Sequence, residues 1–152
     1  MKAVVWSSIC AIVVAVGPLG AGDKGKDDKF DPSKLVGTWT YVSGVENGKK
    51  LDADHFKKAK VVISKETLTL KAEKDADTFV MTYELDTKAS PITIKLTIKE
   101  GPQGVGAKST GIIELKGDDL KICYDPSGKE TPKTFEAKEG SNFHCFVLKR
   151  AK

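Results

Sequence analysis

The sequence predicts an all-β domain: an eight-stranded antiparallel meander closed into a barrel, with one short helix after its first strand. Three observations carry that prediction. From Leu35 onward, apolar and polar residues alternate with a period of two, the pattern of half-buried strands. Short stretches of turn chemistry separate the alternating runs, so runs adjacent in sequence pair as neighbours. Eight such runs are enough to close on themselves and remove the exposed edges of the sheet.

Taken in order, the predicted strands span 37–43, 60–64, 67–72, 78–86, 92–99, 108–116, 119–124 and 142–150. The first lies in LVGTWTYVSGVENGKKL, where Trp39 and Tyr41 alternate with threonines and Asn47-Gly48 is a strong hairpin-turn pair. The period then breaks in LDADHFKKAK. Asp52 offers an N-cap and Phe56 and Ala59 fall at helical spacing, which predicts the short helix over 52–59. TFVMTYEL places Phe79, Met81, Tyr83 and Leu85 on one face. ITIKLTIK places Ile92, Ile94, Leu96 and Ile98 on one face and threonines and lysines on the other. Such alternation gives one wet and one buried face, the habit of antiparallel sheets. Lys65-Glu66 and Gly117-Asp118 are tight enough for two-residue hairpins, TKASP ends in a proline that opens the next strand, and EGPQGVG is a longer glycine-rich loop. YDPSGKETPKTFEAKEGS is a long connection in which a short extended piece is expected around 133–137.

The domain plan has three parts. Residues 1–22 have a lysine near the start, an apolar run from Ala3 to Val16, and Gly20 and Gly22 as small residues before Asp23. That is the pattern of a secretory signal peptide, and the run is too short to span a bilayer. Residues 23–34 open on GDKGKDDK and are expected to be a flexible tether; residues 35–152 are the barrel. The expected localisation is export, either periplasmic or secreted, with no stable membrane span after the signal is removed. The net charge of +4 comes from interspersed Lys, Asp and Glu with a single arginine, Arg150. No stripe of Lys and Arg marks a nucleic-acid surface. Beyond the signal, Cys123 and Cys145 are an even count in an exported chain, which invites a disulfide, and without a CxxC pair they do not read as a zinc site.

GTWTYVSGVENGKKL, IKLTIKEGPQGVGAKSTGIIELKGDDLKICYDPSGKETP and the closing FVLKR together resemble the uncharacterised lipocalin-like domain family abundant in planctomycete bacteria, over roughly residues 35–151. The resemblance implies a lipocalin-like barrel in an exported protein; it brings no activity, ligand or catalytic residue with it. Two positions depart from the family's pattern. Thr131 stands where an arginine is expected before the proline, and Cys145 stands where an aliphatic residue is usual. Lipocalins proper also open on Gly-x-Trp and commonly pack an arginine at the end of the last strand onto that tryptophan. The matching positions here are Trp39 and Arg150, which the resemblance pairs as a barrel floor through a cation–π contact.

Catalytic chemistry is not legible in the chain. Asp52, Asp54 and His55 could gather a metal, but the same residues make an ordinary charged first helical turn. His144 and Cys145 are adjacent on a strand and face opposite ways. No G-x-S-x-G elbow or phosphate-binding glycine loop occurs, and no cofactor motif. What remains is the inward apolar set, of which Trp39, Tyr41, Phe79, Met81, Tyr83, Leu96 and Tyr124 are the candidate ligand-lining residues. Two readings stay open: a binder of a small apolar molecule inside the barrel, with residues 52–59 as a lid, or a ligand-free structural or protein-interaction module of the cell envelope. Outward-facing Val42, Val62 and Val80 are the candidates for a protein-contact surface.

Overall fold

Valine, isoleucine, threonine and aromatic residues fill the alternating runs, and such side chains suit a pleated, half-buried surface. The computed structural model describes residues 29–152; the expected signal segment and residues 23–28 of the expected tether lie outside the described residues. Nine strands form: β1 (Gly37–Glu46), β2 (Lys49–Lys50), β3 (Lys60–Ile63), β4 (Thr67–Lys71), β5 (Phe79–Asp86), β6 (Ile92–Glu100), β7 (Lys108–Lys116), β8 (Asp119–Asp125) and β9 (His144–Arg150). Each of β3 to β9 pairs antiparallel with its sequence neighbour, β3 pairs with β1, and β9 pairs back onto β1. The result is the predicted eight-stranded meander barrel. The extra strand, β2, is a two-residue ribbon folded back on the end of β1 through Asn47-Gly48, both of which have positive φ.

The predicted inward faces meet across the barrel wall. Met81, Tyr83 and Leu85 stand opposite Ile98, Leu96 and Ile94, and Leu120 and Ile122 stand opposite Leu148 and Phe146. These inward residues form one cluster with Trp39, Val61, Ile63 and Leu68. Each buried aliphatic or aromatic side chain contributes about 1.5–3 kcal/mol of transfer free energy.

Several local expectations are corrected. The helix over 52–59 is a single 3-10 turn at Ala53–Phe56, held by i to i+3 bonds, and the Asp52 side chain makes no capping bond. A helix that short, without a cap, has too few internal bonds to repay its nucleation. No strand forms around 133–137, and residues 142 and 143 lie outside β9. Instead the connection 126–143 lies over the outer face of the barrel, where Phe135, Ala137 and Phe143 pack on Ile112, Cys123 and Cys145. Ile112 points away from the barrel interior yet is only 1% exposed. Of the three valines proposed as a contact surface, only Val42 is exposed. The stretch expected to be a tether ends in order: Phe30 packs on the core, and Asp31 caps a 3-10 turn at Pro32–Leu35 through Ser33.

Two features hold the outer loop down. Cys123 and Cys145 face each other across β8 and β9 and are joined by a disulfide. Asp125, 3% exposed, ends β8 and accepts hydrogen bonds from the Ser127 hydroxyl and from the backbone N–H groups of Ser127, Lys129 and Glu130. Burial pushes the Asp125 carboxyl up, but the bonds from Ser127, Glu130 and Lys129 together outweigh it and hold the carboxyl below its ordinary range.

The disulfide closes a loop of 22 residues in sequence separation. Replacing both cysteines by alanine is expected to cost about 3 kcal/mol, read as a lower urea midpoint for the double variant. The Asp125 contribution is present above the unfolded carboxyl pKa and is lost as pH falls through the lower folded value. Asp125→Asn is therefore expected to be about 2 kcal/mol less stable than wild type at pH 7. The two proteins should converge in strong acid; a gap that persisted there would place the effect in packing rather than charge.

Candidate functional site

The connections divide the barrel into two unlike ends. At one end the strands turn within a few residues, at 64–66, 87–91 and 117–118; at the other lie the longer segments 51–59, 72–78, 101–107 and 126–143. Trp39 sits at the short-turn end, fully buried. Its indole N–H donates to the Leu35 carbonyl at 2.9 Å, which ties the strand to the preceding 3-10 turn. The Arg150 guanidinium lies 4.3 Å from the centre of the indole ring. It also donates to the carbonyls of Val36 and Lys34 and contacts Asp118 at 3.3 Å. Gly37 is required here: its φ is +144°, and a Cβ would stand 2.8 Å from the guanidinium. Trp39 and Arg150 close the floor of the barrel.

Above that floor the barrel is filled. Val61, Leu68, Met81, Leu96, Ile113 and Leu120, with their neighbours, leave a central cavity of about 20 Å³. That is room for about one water, against the several hundred Å³ of an ordinary ligand pocket. Outside the floor, a cleft of about 720 Å³ lies between the Pro32–Leu35 turn and the 87–91 and 117–118 turns; the clefts that adjoin the barrel interior lie at the other end. One cleft of about 670 Å³ lies under the 53–56 turn, bounded by Tyr41, Phe56, Phe146, Tyr124, Leu70 and Glu46 among others. A second, about 420 Å³, is walled by Phe79, Ile98, Met81 and His144 and shares Leu70 and Tyr124 with the first. The two adjoin over a floor of aromatic and aliphatic side chains.

Aromatic rings gather at this mouth because two inward positions carry no side chain. Gly111 stands opposite Tyr124, and Gly44 stands opposite Phe146. A Cβ on Gly111 would lie 2.6 Å from the Tyr124 Cβ; one on Gly44 would lie 2.6 Å from Phe56 Cζ and 2.7 Å from Phe146 Cδ1. A bulge at Val42 shifts the parity of β1, so that Trp39 and Tyr41 face inward and then Gly44 and Glu46 do. Glu46 pairs with His144 across β1 and β9, its carboxylate 3.4 Å from the imidazole Nδ1.

The hydroxyls of this mouth are unlike the other barrel tyrosine. Tyr83 donates to the Ser64 carbonyl at 2.7 Å. No hydrogen bond to another described residue engages the Tyr41 or Tyr124 hydroxyl, and neither oxygen is sealed from the cleft. Burial raises the pKa of both, and the Glu46 carboxylate raises them further, with Tyr41 also acting on Tyr124. Both phenols stay protonated and available as donors.

The structure thus separates the seven residues read as ligand-lining. Tyr41 and Tyr124 line the mouth, Phe79 and Met81 its second cleft, and Met81 and Leu96 the small central cavity. Trp39 is sealed in the floor, and the Tyr83 hydroxyl is tied to the turn after β3. Phe56, Phe146, Leu70 and Glu46 join the mouth and were not among the seven. For Phe56 and Phe146 the visible signal was Gly44, just past the predicted first strand, since a glycine beside a strand pattern commonly marks a close approach. Asp52, Asp54 and His55 do not converge: Asp54 pairs with Lys57 and the His55 ring meets the edge of Phe56. Among the described residues no group of three or more His, Cys, Asp or Glu side chains could hold a metal ion, and no helix is long and apolar enough to cross a membrane.

Comparison with family models, curated proteins and solved structures found no match. The functional reading therefore rests on the barrel and its mouth.

The floor is directly testable. Arg150→Met keeps an apolar stem over Trp39 but loses the cation–π contact and the bonds to Val36 and Lys34, at an expected cost of about 2–3 kcal/mol. Arg150→Lys should recover only part of it, since an ammonium cannot hold three partners in a planar fork. Urea midpoints of the three proteins, with unchanged slopes, check both expectations.

Proposed function

We propose that this protein, after export, binds a small and largely apolar molecule at the open mouth of its barrel rather than in the interior. One observation carries the reading. The barrel core is filled to a cavity of about 20 Å³, whereas the mouth opens into adjoining clefts of about 670 and 420 Å³; apolar side chains floor both, and Asp54, Lys57, Lys58, Lys71 and Glu73 also line the larger one. Small-molecule sites are generally apolar concavities with a few polar groups that orient the ligand. At this mouth Tyr41, Tyr124, Glu46 and His144 are among those groups. Export is supported by the signal-like pattern of residues 1–22 and by the Cys123–Cys145 disulfide, a bond favoured outside the reducing cytosol. The filled interior also favours the second reading, a ligand-free structural or interaction module.

Native mass spectrometry separates the two. Protein from an oxidising compartment is measured as isolated, after denaturing extraction and refolding, and after adding lauric acid or indole. Under the binding reading an extra mass is expected that extraction removes and an added molecule restores. Leu70→Lys, at the wall shared by both clefts, should weaken that binding by about ten-fold or more with the fold retained. A bare mass under every condition would sink the binding reading and leave the ligand-free module.

A further inference from the structure

The Phe56 ring is seated like a guest. It belongs to the 53–56 turn, none of whose residues is fully buried. The ion pairs flanking the turn lie in solvent: Asp54–Lys57, with side chains 79% and 71% exposed, and Lys58–Glu73. Exposed pairs of this kind hold a segment only weakly. The ring itself is gripped on several sides. It stacks on Tyr41 with centroids 4.8 Å apart and planes 15° apart, and it meets Phe146 at 90° with centroids 6.1 Å apart. Its tip fills the notch at Gly44, where a Cβ would come within 2.6 Å of Cζ. Stacked and edge-on arrangements are the two that the aromatic quadrupole favours. Two residues beyond the notch, on the same inward face of β1, Glu46 presents a carboxylate to the cleft.

We propose that Phe56 is a stopper occupying a slot shaped for a planar ring. The ligand of the mouth is then a planar aromatic molecule carrying a hydrogen-bond donor; it takes the place of Phe56 between Tyr41 and Phe146 and donates to Glu46. This inference rests on the mouth-binding reading and narrows it to a ligand class. A flat slot rewards a flat ring: a flexible acyl chain gains no quadrupole attraction there and loses more rotamer freedom on binding. Because Phe56 competes from within the chain, the slot is open in only part of the population, and apparent affinity is reduced by that fraction.

The test titrates indole (a ring with an N–H donor), toluene (a ring without one) and lauric acid (no ring) into the purified wild type, Phe56→Ala and Phe56→Leu. Affinity is read by calorimetry and ring environments by proton NMR. Indole is expected to bind both variants about ten-fold or more tighter than wild type, while lauric acid changes little. Adding Glu46→Gln to Phe56→Leu should weaken indole about three-fold or more and leave toluene unchanged. In wild type, saturating indole should move the Phe56 ring protons toward solvent-exposed positions, a readout that needs no variant. If indole binds the folded variants no tighter than wild type, or saturates wild type without moving Phe56, the slot inference is overturned. Lauric acid binding that Leu70→Lys abolishes would still leave the mouth reading standing. Absence of binding by all three probes to all three proteins would overturn both.

Discussion

The barrel depends on one pairing, that of its first strand with its last. β1 and β9 run antiparallel from Trp39 opposite Arg150 to Glu46 opposite His144. Without that seam the meander would be an open sheet with two free edges, each a row of unpaired backbone groups. The seam joins residues from the two ends of the barrel sequence, as the Thr40 hydroxyl bond to the Lys149 carbonyl illustrates. Closing so long a loop costs entropy that rises only slowly with length. Arg150 helps offset it at one end by holding Trp39, Val36, Lys34 and Asp118 together.

The same seam sets what each end of the barrel can do. At the floor, Trp39 and Arg150 satisfy each other and the turn beneath them, which closes the barrel interior at that end. At the mouth the bulge at Val42 shifts the parity of β1 and brings Gly44 and Glu46 to the inner face. The glycine admits two rings and the glutamate places a charge beside two tyrosines. The Cys123–Cys145 bond and the Asp125 network stand on the outer face instead, fastening the long loop that doubles the wall over β7–β9.

Most of the fold was legible because a strand writes its two faces directly into alternate residues. Runs such as ITIKLTIK and TFVMTYEL leave no other way to bury one side, and register follows from that parity. The two cysteines read as a candidate bridge do meet, on the outer face of the wall, and Arg150 does lie over Trp39. Legibility failed where the period failed. The doubled outward step at Val42 and Ser43, the 3-10 turn at 53–56 and the irregular cover over 126–143 obey no repeat. Their conformations are chosen by what they pack against: Phe56 by Gly44 and Tyr41, and Phe135 and Phe143 by a disulfide-linked wall.

The sequence by itself determined the fold class, the strand order and the inward and outward faces, because each is a property of local pattern or simple parity. The tertiary structure alone decided whether the barrel is hollow and which end is open. Those are questions of volume, set by how side chains from eight strands meet around one axis. No single strand records whether Met81 and Leu96 leave a void between them. Nor does any of them record that two missing side chains, at Gly44 and Gly111, set aromatic rings around an open mouth.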